Sequence, residues 1–450
     1  MIDSAAPPSE SPRELHRAPP LAISFAFFFM APIALWIAAA LLLWRGPLTL
    51  TSTNAPLNIA AVHLATLGFV GSVMFGALYQ MIPVVAGVPV PMVRLAHGVH
   101  AGFLLGLSAL LWAQATGSQT GFWLAFSLLT ASLSAFFVPV AVAMAKAPAR
   151  SDTVRGMRLA LVGLAGVASL GLYMVFARAG SGYTETWVAW RTTHISFGIV
   201  AWIGGLLTAI SYQIIPMFYV TSDFPPWVRK LILAGISITL VVPVMLLATG
   251  ASPSWISLAA LPGATAIWLV HPATAAWALF KRRRRRREPS LSFWWLGLGC
   301  APAALLFGVV ALSSEHPIWP LLFGWLALWG WAGSIVHGML MRILPFLVWF
   351  HRFAPLAGYA PIPSMRQLLP ERRGYLAWTT HAGTLLVGCA AIISSDPWMA
   401  RAMGAALCVT GALLGANLVH VLRRFPDQAG VDAAQAASRA FASSLSKEPT

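Results

Sequence analysis

The stretch HLATLGFVGSVMFGALYQMIPVVAG, residues 63–87, decides how this chain folds. It carries no charged side chain, has glycines at 68, 71, 76 and 87, and has a proline at 83. At a rise of ~1.5 Å per residue it is long enough to cross the hydrocarbon core of a bilayer as a helix. The pattern returns twice. Residues 194–220 read HISFGIVAWIGGLLTAISYQIIPMFYV, and residues 329–350 read WGWAGSIVHGMLMRILPFLVWF. Gly68, Gly71, Gly76 and Pro83 match Gly330, Gly333, Gly338 and Pro345, each 262 positions on. Gly71, Tyr79-Gln80 and Ile82-Pro83 match Gly204, Tyr212-Gln213 and Ile215-Pro216, each 133 positions on. The next segment repeats as well: His100-Ala-Gly-Phe-Leu-Leu corresponds to His381-Ala-Gly-Thr-Leu-Leu, with Leu233-Ala-Gly between them. The fourth segments share only Leu-Val-His, at 269–271 and 418–420.

Working outward, apolar segments expected to span lie at 21–44, 57–85, 93–116, 120–145, 154–177, 190–220, 228–250, 254–280, 291–312, 318–350, 375–394 and 397–422. None alternates with period 2, which argues against a β-barrel. The expectation is an all-α polytopic membrane protein of twelve transmembrane helices, built as three four-helix pseudo-repeats. The units are 21–150, 151–290 and 291–424, between polar tails at 1–20 and 425–450. Four is even, so the units run in one direction, about an axis along the membrane normal rather than as inverted repeats. The matched glycines read as sites of close helix approach.

Composition agrees. Of 450 residues, 58% are hydrophobic and 9% charged, whereas a soluble chain carries about 25% charge. The net charge of +16 does not point to nucleic acid, because of where it sits. Of the 29 Lys and Arg, 24 fall on the side of the termini, seven of them in Lys281–Arg287. Only Arg45, Arg178, Arg191 and Arg401 fall on the other side, and Arg342 lies within a span. That asymmetry places both termini in the cytoplasm and the chain in the inner (plasma) membrane. The first apolar segment follows a polar tail without a small-residue cleavage site and reads as a retained helix. The basic run is a topology anchor at the surface of the lipid bilayer. Cys300, Cys389 and Cys408 all sit in spans, with no Cys-x-x-Cys-His for covalent haem attachment.

Asp and Glu lie in loops and tails, which argues against an acidic proton relay. The spans carry histidine instead: nine of the eleven lie in or at the edge of one, His16 and His316 being the exceptions. Neutral imidazole is cheaper to bury than a charge and is a good ligand for haem iron or copper. His63 and His194 lie one to two turns inside the ends of the second and sixth spans away from the termini. His97, His100, His271, His351, His381 and His420 lie toward the cytoplasmic ends. His337 stands 8 residues before its proline and His63 stands 20 before its own. With the prolines level, the two differ by ~18 Å in depth and cannot share one iron. His271, His351 and His420 sit beside basic helix ends and read as histidines that hydrogen-bond a neighbouring helix or are simply interfacial. Gln80, Gln213 and Arg342 occupy one matched position and read as polar lining; an arginine there balances a buried anion, lines a polar path, or snorkels to the interface.

The spacing His63-x12-Gly76-x6-Pro83 resembles the haem-ligating helices of the haem-copper oxidase superfamily, subunit I. That family has twelve helices, cytoplasmic termini and three quasi-repeated four-helix arcs. Its second and tenth helices carry axial histidines followed by glycine and proline. His63, Gly68, Gly76, Pro83 and Gly87 also resemble the His-x4-Gly-x7-Gly-x6-Pro-x3-Gly pattern of the NnrS family, haem- and copper-containing membrane proteins linked to the nitric-oxide response. The departures are specific. The sixth span reads His194-Ile-Ser-Phe-Gly in place of the oxidases' His-Pro-Glu-Val-Tyr, the seventh has no histidine pair, and Trp325 stands where the tenth helix would match His63. His194 is two residues ahead of the matched residue, Ser196, so it is expected to face elsewhere, turned by ~200°.

The resemblance implies non-covalent haem b on His63, with His194 as candidate opposite ligand and His337 or His381 at a separate inner site. Copper is a second candidate, with His63, His194 and His100 as its metal ligands. A redox or nitric-oxide-related role, with a partner subunit or electron donor, would follow; if the chain is an enzyme, it is an oxidoreductase. Oxygen reduction with proton pumping is not expected without the acidic and copper-site residues. The alternative is a transporter or structural membrane protein that keeps the fold without a cofactor.

Overall fold

The computed structural model describes residues 19–148, 151–180, 186–358, 360–427, 431–432 and 436. His16 and most of the two expected tails lie outside the described residues. Among the described residues there is no strand. Among the same residues, twelve helices are long and apolar enough to cross a membrane: α1 (Leu21–Thr49), α2 (Pro56–Ala86), α3 (Val93–Thr116), α4 (Gln119–Lys146), α5 (Asp152–Gly180), α6 (Trp187–Tyr219), α7 (Pro226–Ala248), α8 (Pro253–Phe280), α9 (Pro289–Ser313), α10 (Ile318–Leu356), α11 (Glu371–Ser394) and α12 (Pro397–Leu422). The twelve expected spans are all present, with ends shifted by a few residues. The largest shifts are at α10, which runs on through a π-helical turn at Trp349–Phe353, at α1, which runs on through a 3-10 turn at Gly46–Thr49, and at α11, which starts four residues early. The first turn of α11, Glu371-Arg372-Arg373, is helical but polar, so apolarity alone misses it.

Local chemistry sets the ends. Proline opens α2, α7, α8, α9 and α12, at the first helical position, where its missing N–H costs nothing. Gly87 and Gly117 close α2 and α3 with φ of 68° and 72°, a left-handed conformation that only glycine adopts freely. The chain closes on itself: α1 packs against both α2 and α12.

The three matched stretches form the centre. Their most apolar windows are 61% (α2), 78% (α6) and 72% (α10) buried, against 28–56% for the other nine helices. Each contains an eight-residue π-helical segment, at Leu64–Gly71, Phe197–Gly204 and Leu326–Gly333. Each segment is followed by a fifteen-residue α-helical stretch that includes the matched proline. π turns are rare and gather at functional sites.

The π segments give the matched glycines a second role. A Cβ on Gly71 would stand 2.5 Å from the carbonyl oxygen of Thr66 in its own helix. Gly204 would meet Ile199 O at 3.0 Å, and Gly333 would meet Leu328 O at 2.9 Å. In all three the crowding carbonyl lies five residues back, where the wider turn directs it. The other glycines do serve close packing, as expected from sequence. A Cβ on Gly68 would reach Ala34 Cβ at 2.5 Å, and one on Gly330 would reach Cys300 Cβ at 2.9 Å. In α6 the small residue changes sides: Ala201 occupies the matched place and Gly163 of α5 makes the room, since a Cβ on Gly163 would stand 2.8 Å from Ala201 Cβ.

Candidate functional site

α2 and α6 bring His63 and His194 together across a cavity. Both side chains line it, their ring centroids are 6.4 Å apart, and their planes are inclined by 28°. The two-residue offset from Ser196 therefore does not turn His194 away; it turns it toward His63. The expectation failed because two helices standing at different places around a bundle present different azimuths to the space between them. Ser196 itself donates to the Thr192 carbonyl at 2.9 Å. Trp325, the third matched residue, donates to the Leu385 carbonyl at 3.0 Å.

Each imidazole is held from behind. His63 Nδ1 lies 2.7 Å from the carbonyl oxygen of Ile59, and His194 Nδ1 lies 3.0 Å from that of Val167 on α5. A carbonyl can only accept, so both rings carry their proton on Nδ1. That leaves Nε2 as a lone pair, the state in which imidazole binds metals. Gly171 of α5 makes room for the ring, since a Cβ there would stand 2.8 Å from His194 Cε1.

The separation has chemical meaning. An imidazole nitrogen lies about 1.1 Å from its ring centre for C–N bonds of about 1.33 Å, and metal–imidazole bonds are about 2.0–2.1 Å. Two imidazoles on opposite faces of one metal ion thus have centroids about 6.2–6.4 Å apart, and the observed 6.4 Å satisfies that requirement.

The cavity has a volume of about 560 Å³, within the usual range of about 300–1,000 Å³ for small-molecule sites. Its walls are mostly apolar, contributed on one side by α3, α4 and α5 and on the other by α8, α9 and α10. Arg178 and Arg191 also line it. The sequence reading took both only as markers of topology and missed them as site residues. The available signal was the Arg191–His194 spacing, which puts the two on one helix face. Among the described residues, no group of three or more His, Cys, Asp or Glu is placed to hold a metal ion.

The other candidates lie apart from this cavity. His100 of α3 packs edge-on against Phe27, with centroids 5.2 Å apart, and joins neither His63 nor His194. His337 of α10 and His381 of α11 meet each other, Nδ1 to Nδ1, at 3.3 Å. His381 Nε2 lies 3.0 Å from Ser334 Oγ, Trp329 stacks on its ring at 4.3 Å, and Phe293 packs 4.8 Å from His337. Both are fully buried and neither lines the large cavity. His271 pairs with Ser211 at 2.8 Å.

The matched polar position has a structural use in two of its three places. Gln80 donates to the carbonyl of Pro19, just before α1, at 2.9 Å. Arg342 pairs with Glu288, the residue just before α9, and stacks over Phe218 and Tyr219. Glu288 is thus the anion that Arg342 balances. Gln213 is half-buried on α6. No family model matches the chain, and no curated protein matches it.

Proposed function

We propose that this chain binds haem b non-covalently, with His63 and His194 as its two axial ligands, and serves membrane electron transfer. The observation that carries the reading is the facing pair of carbonyl-anchored imidazoles, 6.4 Å apart in an apolar cavity. Two protein nitrogens leave most of an iron's coordination unfilled, and among the described residues no third His, Cys, Asp or Glu stands beside them. A metal held there must bring its remaining ligands with it, as a porphyrin does. The residues fit that group: apolar walls for the macrocycle, lone pairs for the iron, and two guanidinium groups for its acidic side chains. The same reasoning disfavours a copper ion on His63, His194 and His100.

When bound, such a group supplies one-electron chemistry. The protein's part would be to orient the two rings through Ile59 and Val167, to exclude water, and to offer two imidazole nitrogens to the iron. A group so held would supply electron transfer to a partner subunit or donor rather than a site for oxygen or nitric oxide. On this reading the protein is a divergent relative of the haem-copper oxidase and NnrS type.

The same proposal takes the chain as three four-helix units with cytoplasmic termini in the inner membrane. The π segments at matched positions and the carbonyl-crowded glycines support the units. The basic asymmetry supports the orientation. The test is the visible spectrum of the purified protein from haem-sufficient cells. A Soret band typical of two imidazole ligands, abolished in His63→Ala and in His194→Ala, is the expected result. A colourless wild-type preparation overturns the reading and leaves a cofactor-free transporter or structural protein.

A further inference from the structure

The connection from α8 to α9 carries seven cations in a row, Lys281–Arg287. Fixing topology needs only their charge, yet the fold sorts them. Arg282, Arg284 and Arg286 turn onto the protein. Arg282 donates to the Leu279 carbonyl at 2.8 Å and so helps close α8. Arg284 lies 3.6 Å from Glu288, and Arg286 lies 2.9 Å from Glu371 at the start of α11. Arg366, in the short helix Met365–Leu368, reaches both carboxylates, at 3.8 Å and 3.4 Å. Arg342 of α10 takes Glu288 as well. Glu288 thus receives three guanidinium groups and Glu371 two, which leaves neither carboxylate for the rest of the row. Arg283, Arg285 and Arg287 alternate with the inward residues. All three are exposed, and among the described residues their side chains have no hydrogen bond or ion pair.

The row lies at the edge of the apolar surface. Lys281 Nζ stands 4.0 Å from the centre of the Trp277 ring. Trp277 and Phe280, near the end of α8, and Trp227, at the start of α7, are all widely exposed. Exposed aromatic rings at span ends mark the membrane–water interface. The Arg283 backbone N–H donates to the carbonyl of Val220, just after α6, at 3.1 Å, and this ties the row down beside that belt. A soluble acidic partner would be served by cations standing clear of the bilayer. Cations tied at the belt meet lipid headgroups first.

We propose that Arg283, Arg285 and Arg287 form a binding site for the headgroup phosphate of an anionic phospholipid, in the leaflet on the side of the termini. The inward arginines and the two carboxylates fix the loop that presents them. Guanidinium groups pair with phosphate oxygens through two parallel hydrogen bonds, and basic clusters at the end of a span attract anionic lipid. The site is independent of the haem reading.

The test uses the full chain, delipidated in a neutral detergent and titrated with phosphatidylglycerol or with phosphatidylcholine, which has a phosphate but no net charge. Bound lipid is counted by native mass spectrometry. Wild type is expected to bind phosphatidylglycerol about tenfold to a hundredfold more tightly. In Arg283→Gln/Arg285→Gln/Arg287→Gln that ratio is expected to fall toward one. In Arg94→Gln/Lys146→Gln/Lys230→Gln, which removes the same charge from exposed positions elsewhere on that side, it is expected to hold. Equal binding of the two lipids by wild type overturns the inference and needs no variant to fold. An equal loss in both triple variants overturns it too, since the preference would then come from diffuse charge. Tight capture of hexaglutamate without any preference between the lipids overturns it in favour of an acidic protein segment.

Discussion

Two histidine pairs lie inside this bundle, and they differ in what surrounds them. His63 and His194 are each tied at Nδ1 to a backbone carbonyl and face a cavity of about 560 Å³. His337 and His381 are tied to each other and to Ser334, and packed between Trp329 and Phe293. The second pair is the more deeply buried, with neither ring exposed at all. On the proposed reading, depth of burial is a poor guide to function here. His337 and His381 have aromatic rings against them and three of their four ring nitrogens engaged, the fourth, His337 Nε2, being buried without a hydrogen-bond partner among the described residues. On that reading they are packing elements, whereas the carbonyl-anchored imidazoles beside the cavity are the ligands.

The comparison can be broken most directly by alanine. On the proposed reading, His63→Ala and His194→Ala each lose the Soret band, whereas His337→Ala keeps it. The haem-to-protein ratio across the three variants decides, and loss of haem in His337→Ala alone would reverse the assignment. The inner pair should instead show itself in stability. Removing the His337 ring leaves the His381 nitrogen unpartnered and opens a void, which costs about 2–4 kcal/mol. A thermal unfolding midpoint in detergent lowered by several degrees, with an unchanged spectrum, is the expected signature.

A finer perturbation acts on the support of the outer pair. In Gly171→Ala the new methyl lies 2.8 Å from His194 Cε1 in the present geometry, so the ring must shift. Overpacking of this kind costs about 1–3 kcal/mol, and haem affinity should fall while helix content stays constant. Gly98→Ala, where nothing lies within 4 Å, is the control. The smallest effect is expected at Arg342→Gln, which installs the residue found at the matched position 80. The partly exposed pair with Glu288 is worth about 1 kcal/mol or less, and Glu288 keeps Arg284 and Arg366 nearby. A slight loss of stability without spectral change is predicted; loss of colour would mean that the polar position serves the site.

The spans, their number and the special character of α2, α6 and α10 were legible in the sequence. Twenty apolar residues can satisfy their backbone within lipid only as a helix, so composition and length suffice for that. The glycine and proline register was legible too, although its cause was only half read. Gly68 and Gly330 serve close packing, but Gly71, Gly204 and Gly333 answer to a carbonyl five residues back, and no spacing announces a π turn. His63 was recognisable from its place in the repeated pattern, and His194 from its depth. Their meeting was not. Periodicity fixes the azimuth of each side chain on its own helix, but not how that helix is rotated against another, and this rotation is what set His194 toward His63 and His337 toward His381. Arg178 and Arg191 escaped for the same reason, since charge at a helix end looks like topology until the cavity between the helices is known. By itself, then, the sequence determined which segments enter the membrane and which stand at its centre, because burial of backbone and apolar surface is a local property of each segment. Only the tertiary structure decided which of the buried histidines face space and which face each other, because an empty volume belongs to the packing of many helices and to no single one.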